Sequence, residues 1–170
     1  MTDRWQELFD EARRENGNNN PERAEELVAL AIQEAEHISP DTCSYSSAQC
    51  SFALWRYVQD RFAEAEVFHQ RYIDTEKRLG IGERELANMM MWLAEMQQKQ
   101  GKLNDAKQTI EYAIDLYPQG YLPELSGAYN DLASVLEEIG DSAGASVAMK
   151  KSAEVCKEWD ELVESRRKGI

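Results

Sequence analysis

A spacing that recurs along the chain constrains its fold more than any other feature. Phe52-Ala53 is followed by Asp60-Arg61-Phe62-Ala63-Glu64-Ala65, Leu93-Ala94 by Gly101-Lys102-Leu103-Asn104-Asp105-Ala106, and Leu132-Ala133 by Gly140-Asp141-Ser142-Ala143-Gly144-Ala145. Each time the first apolar residue lies eight before the turn residue, and an alanine lies five after it. A fourth copy fits the start of the chain. There Trp5, Leu8, Phe9 and Ala12 share one helical face, Asn16-Gly17-Asn18-Asn19-Asn20-Pro21 is a polar turn, and Ala24 follows. The alanines Ala24, Ala65, Ala106 and Ala145 then step by 41, 41 and 39 residues. Self-similarity at such a period marks a row of short units that bury their apolar faces on one another.

Inside each copy the apolar residues recur at helical rather than strand spacing, and Gly, Asn and Asp punctuate between them. Each unit is therefore expected to be a helical hairpin. Eight helices are predicted, near 2–16, 21–38, 43–59, 63–79, 83–99, 104–116, 124–138 and 142–167. Local signals support these limits: Asp41 or Thr42 before the third helix, Gly80 after the fourth, Asn104 before the sixth and Pro123 in the first turn of the seventh. The four alanines fall early in each second helix, where two backbones are expected to approach closely. A larger side chain there would overpack the contact, at about 1 to 3 kcal/mol.

With 170 residues, 42% of them apolar and 30% charged, the chain is long and apolar enough for one self-sufficient globular core. A single domain over 1–170 is expected, with repeats near 2–38, 43–79, 83–117 and 124–167. No apolar run approaches the roughly 18 residues a membrane span needs, and Met1-Thr2-Asp3-Arg4-Trp5 lacks a secretory leader's apolar stretch. A cytoplasmic location is expected. Cys43 and Cys50 lie about 10 Å apart along one helix, too far for a bridge, and no metal-ligand spacing appears. The formal charge of -13 argues against nucleic acid and anionic membranes, both of which reward a basic surface. A basic or amphipathic protein partner suits it better.

The repeat resembles the tetratricopeptide (TPR) family, whose unit is two antiparallel helices with a large-then-small pair on the first and a small residue early in the second. The third copy matches most fully, with Leu93, Ala94, Gly101, Ala106, Ala113 and a closing Pro118. The repeat length near 40 residues, with the stretch Ile73-Asp74-Thr75-Glu76-Lys77-Arg78-Leu79-Gly80 closing the second copy, is similar to the longer variant found in kinesin light chains and many bacterial proteins. The resemblance implies an all-α, right-handed α-solenoid of four hairpins. It further implies a scaffold or adaptor that receives a peptide or helix in a concave groove. Alternatives are a self-associating structural protein and a regulatory subunit or ligand sensor.

Catalysis finds little purchase. His69 falls on the inner face of the fourth helix, where a packed core residue is expected, and His37 ends the second helix, where it complements the helix dipole. Neither has a nucleophile or carboxylate at a recognisable spacing, and no phosphate-binding glycine loop is present. No catalytic residue, cofactor or metal is expected. Of the methionines on the fifth helix, Met90 is assigned to the packing face and Met91 to the groove.

By resemblance, the groove-lining residues are Asp10 and Arg13, then Cys50, Leu54 and Tyr57, then Asn88, Met91, Glu95 and Gln98, then Asn130, Ser134 and Glu137. Co-chaperones of the family hold a terminal carboxylate with cations in this groove. Gln6, Asp10, Ser51, Asn88 and Trp92 stand in those places here, so that role is unsuited. Kinesin light chains receive acidic peptides on basic residues, and the charge bias here is the reverse. On the last helix a stripe of Ala145, Met149, Ser152, Cys156, Trp159 and Val163 overhangs its shorter partner. Either the loop Tyr117-Pro118-Gln119-Gly120-Tyr121-Leu122 or the preceding hairpin covers Trp159 and Val163, or they form a symmetric homodimer interface.

Overall fold

A computed structural model of the chain describes residues 3–118, 122–167 and 169. Eight helices follow in order: α1 (Arg4–Gly17), α2 (Pro21–Ala35), α3 (Cys43–Tyr57), α4 (Phe62–Leu79), α5 (Glu83–Lys99), α6 (Leu103–Leu116), α7 (Leu122–Ile139) and α8 (Ser142–Arg167). No strand occurs among the described residues. Thr42 caps α3 by accepting the Tyr45 amide at 3.2 Å, and Gly80 ends α4 at φ 84°. Two expectations shift. Helix α2 stops at Ala35, and the chain continues through tighter bonds from the His37 amide to Glu34 and from Ile38 to Ala35, so exposed His37 lies beyond the helix. Helix α6 begins at Leu103, which puts Asn104 inside it rather than at its cap.

One hydrogen-bond pattern closes all four hairpins. Asn19, Asp60, Gly101 and Gly140 take left-handed φ values of 63, 57, 72 and 91°. The next amide in each turn donates to a carbonyl five residues back: Asn20 to Glu15 at 2.9 Å, Arg61 to Arg56 at 3.0 Å, Lys102 to Gln97 at 2.9 Å and Asp141 to Leu136 at 2.8 Å. These are the six-to-one bonds of the Schellman turn, which requires a residue that tolerates the left-handed region, hence Gly, Asn or Asp. Five residues beyond each, the repeat alanine donates its amide to the residue after the turn, at 3.1 Å for Ala24 and 3.0 Å for Ala65, Ala106 and Ala145. All four alanines are at most 1% exposed. The apolar pairs Phe52-Ala53, Leu93-Ala94 and Leu132-Ala133 are buried as well.

The chain divides into two compact units, Met1–Ile81 and Gly82–Ile170. Within the first, α1 pairs with α2 and α3 with α4. Its core is aromatic. Phe52 stands edge-to-face against Trp5, Phe9 and Phe68, with ring centres 5.6 to 5.9 Å apart, and Phe9 meets Trp55 in the same way at 5.6 Å. Such pairs add about 0.5 to 1.5 kcal/mol beyond the area they bury. The Trp5 indole donates to Ser44 at 3.1 Å. His69 is buried and edge-on to Tyr72 at 5.8 Å, a packed core residue.

In the second unit α5 pairs with α6 and α7 with α8, and α6 packs on α7. The core joins Ala94, Ala106, Ile110, Leu132, Ala133, Val135, Leu136, Ala145 and Ala148. The buried methionines of α5 are Met89 and Met96, while Met90 is only half-buried, so the packing face lies one residue from where periodicity put it. Helix α8 differs likewise. It buries Ala145, Ala148 and Ser152 but leaves Met149 and Cys156 exposed. Ser152 donates to the Ser126 carbonyl at 3.1 Å, so α7 and α8 meet there through hydroxyls rather than apolar side chains. Trp159 and Val163 are half-buried. Most of the loop considered as their cover, residues 119–121, lies outside the described residues.

Candidate functional site

Among the described residues no group of three His, Cys, Asp or Glu could hold a metal ion. Nor is any helix there long and apolar enough to cross a membrane. Candidate surfaces are therefore grooves and exposed apolar side chains.

In the first unit Asp10 and Arg13 are exposed on α1, and Leu54 is exposed on α3. Val58, one turn after Leu54, extends this ridge and was not anticipated. Tyr57 is half-buried, edge-on to Phe62 at 5.5 Å. Cys50 is engaged with α4 through a hydrogen bond to Tyr72. Burial pushes its thiol up, against that bond and with help from Glu76. Burial also pushes Tyr72 up to about 12, aided by Cys50 and Glu76.

No repeat position or motif points to the carboxylate that ties this unit together. Glu25 of α2 accepts the Trp55 indole at 2.8 Å, the Gln59 amide at 2.7 Å and the Arg56 guanidinium at 2.7 Å, all from α3 or its end. Arg61 joins at 3.2 Å. Burial alone would raise the Glu25 carboxyl, but hydrogen bonds from Gln59, Trp55 and Arg56 together with the Arg56 charge hold it at about 2. Arg56 itself is buried, between Glu25 and Glu64 of α4, the latter at 3.3 Å.

The second unit holds an open cleft of about 650 Å³. Helix α5 lines it with Met91, Trp92, Ala94, Glu95, Gln98 and Lys99, α6 with Ile110, and α7 with Asp131 and Glu138. Spacings of three, four and seven explain this, since they return side chains to one helical face. Gln98 binds α5 to α7, donating its amide to Ser134 at 3.4 Å and to the Glu138 carboxylate. Three carboxylates, Glu95, Asp131 and Glu138, line the cleft together with Lys99 and with Met91 and Trp92, the latter 46% exposed. Burial, then the charge of Glu95, pushes the Asp131 carboxyl up.

Of the residues expected in this region, Met91, Glu95 and Gln98 line the cleft, and Ser134 touches Gln98. Asn88 instead accepts the Tyr117 hydroxyl at 2.9 Å, bracing α5 against the end of α6. Asn130 and Glu137 are exposed but not among the lining residues, and Glu137 accepts from Ser142 at 3.2 Å. Helix α7 presents Asp131 and Glu138, each one position later. The buried set Leu132, Ala133, Val135 and Leu136 fixes that phase, because Asp131 and Glu138 flank it on one side, Asn130 and Glu137 on the other, and Ser134 lies opposite it.

The fold is that of TPR-like helical-hairpin repeats. Similar solved structures include BtubC (BKLC) from P. vanneervenii, at 18% identity and a TM-score of 0.71, matching 92% of this chain and 64% of that one. MamA matches 94% of this chain and 82% of its own at 16% identity and a TM-score of 0.65. Nearly identical TPR-like repeats assigned to a kinesin light chain of Podosopora anserina match 92% of this chain and 76% of theirs, at 15% identity and a TM-score of 0.68. This chain thus spans just under two thirds of BtubC. No protein-family profile and no curated protein matches the sequence.

Proposed function

We propose that this chain is a protein-interaction module, and that the cleft of its second unit receives a peptide or helix bearing cationic side chains and an apolar anchor. One observation carries this: an accessible apolar floor of Met91 and Trp92 is bounded by Glu95, Asp131 and Glu138 against the single cation Lys99. Stacked helical hairpins commonly use such surfaces, since their rigid helices present side chains at fixed spacing. An acidic segment would be repelled, and a neutral one would leave the repulsion between Asp131 and Glu95 in place. The ridge of Leu54 and Val58 is a separate apolar surface of the first unit.

The test is to pan a random peptide library on the intact chain. Binders should be enriched in arginine or lysine together with aromatic or aliphatic residues. Apolar anchors supply most binding energy while peripheral charges set association rates. Met91→Ala should therefore cost about 1 to 2 kcal/mol, largely as faster dissociation. Glu95→Lys should slow association and flatten its salt dependence. Acidic binders, or binders indifferent to both substitutions, would refute the proposal.

A further inference from the structure

Resting on the reading of this cleft as a peptide site, we propose that its occupant is the basic end of α8 from a second copy of this chain. Residues 165–170, Ser165-Arg166-Arg167-Lys168-Gly169-Ile170, carry three cations and no acid in a sequence whose formal charge is -13. Arg166 and Arg167 stand in the last turn of α8 and are exposed. Four residues before them, and so on the same helical face, are the half-buried Leu162 and Val163. Beyond Ser152 none of the described residues of α8 is buried, which leaves this end of the helix open to a partner. It joins cationic side chains to apolar ones, the pair that the cleft is suited to hold.

The spacing matches as well as the charge. On α5, Met91 and Trp92 lie four and three residues before Glu95. Laid parallel to α5 with apolar against apolar, the second copy's α8 brings its Arg166 and Arg167 level with Glu95, one turn short of Lys99, and across from Asp131 and Glu138 on α7. Lys99 offsets only one of those three carboxylates. The same chain cannot fill its own cleft. Helices α7 and α8 run antiparallel and meet at Ser126, whose hydroxyl is 2.9 Å from Ser152 and 3.0 Å from the Cys156 thiol. From that level Arg166 lies one way along α8 and Asp131 the other way along α7, about 25 Å apart in all and beyond the reach of a side chain. A cleft and a helix end are different surfaces, so the contact between copies is heterologous. A contact of α8 with α8 over Trp159 and Val163 would instead join like surfaces.

To test this, two full-length variants would be compared by sedimentation velocity. Arg166→Gln with Arg167→Gln spoils the helix end and keeps the cleft; Glu95→Lys spoils the cleft and keeps the helix end. All three positions are exposed, so circular dichroism should show wild-type helicity in both. At low salt the wild-type mass should rise with concentration above that of a monomer, while each variant stays monomeric. An equimolar mixture of the two should regain a one-to-one complex, weakened about tenfold by raising salt to about 0.5 M and displaced by the tightest peptide from the panned library. A wild-type chain that stays monomeric at high concentration, a variant that self-associates as the wild type does, or a mixture that stays monomeric would overturn α8 as the occupant. The cleft would stand as a peptide site in each of those cases if the library binders are cationic and weakened by Glu95→Lys. Acidic binders, or binders indifferent to Glu95→Lys and Met91→Ala, would overturn both.

Discussion

Glu25→Gln should remove one pH-dependent part of the first unit's stability and little else. The substitution keeps the shape of the side chain but replaces a carboxylate that accepts four donors, from Trp55, Gln59, Arg56 and Arg61. Arg56, with a side chain 7% exposed, would lose its carboxylate partner at 2.7 Å and keep Glu64 at 3.3 Å and the Gln59 side-chain oxygen at 3.1 Å. A fall in the carboxyl from its ordinary 4.5 to about 2 corresponds to at most about 3 kcal/mol of folding free energy. Because the Glu25 side chain is 36% exposed, solvent screening reduces this, and about 2 kcal/mol at neutral pH is the expected difference. The sign follows from the direction of the shift. A carboxyl held below its unfolded value contributes fully above about 4.5, and the contribution is lost as pH falls toward about 2. Urea unfolding should be followed by tryptophan fluorescence in a Trp92→Phe, Trp159→Phe background, so that Trp5 and Trp55 report on the first unit alone. The gap between wild type and variant should close steadily from pH 5 to pH 2.5. A gap that stays constant over that range, or none at pH 7, would refute the ionic origin of the effect.

Two further outcomes bear on the repeat itself. Ala106→Arg places a long charged side chain at a fully buried position and should cost a few kcal/mol; wild-type helicity and melting temperature would show that the repeat alignment is wrong. Gly101→Ala should destabilise by about 1 kcal/mol although nothing lies within 4 Å of the added carbon, because the cost comes from φ of 72°. Gly17→Ala, equally unobstructed but without a positive φ, should be neutral or slightly stabilising, and equal effects of the two in thermal melts would contradict this account.

The repeat was legible because its geometry demands residues that few others can replace. A left-handed turn position admits Gly, Asn or Asp, and the alanine five residues later leaves no room for a larger group. Even the turn in the first copy, spread over Asn16 to Pro21 in the sequence, resolves to Asn19 once its φ is known, at the same five-residue distance from Ala24. Helix ends were less legible where no such residue marks them. The chain past Ala35 stays helical in appearance through Ile38 yet passes into tighter turns, a choice made by local hydrogen bonds that composition does not encode.

The site was legible only in part, because it depends on how a helix is rotated rather than on where the helix lies. On α5 the face assigned by resemblance to the groove carries Met91, Glu95 and Gln98, and these three lie among the residues lining the cleft. On α7 the same transfer gave Asn130, Ser134 and Glu137; Ser134 still meets Gln98, and a rotation of part of a turn brings Asp131 and Glu138 into the cleft in place of Asn130 and Glu137. That rotation changes the chemistry. With Asn130 the wall would offer a neutral amide near Glu95; with Asp131 it offers a second carboxylate that Glu95 disfavours. The Glu25 network shows the same limit. Its donors Trp55, Arg56 and Gln59 lie thirty or more residues away in sequence, and only the stacking of α2 on α3 brings them to one carboxylate. Residues with no alternative, such as the turn glycines and buried alanines, announce a scaffold. Charged residues on its surface gain a role only from neighbours that the fold supplies, and so the acidic character of the cleft belongs to α5 and α7 lining it together rather than to either helix alone.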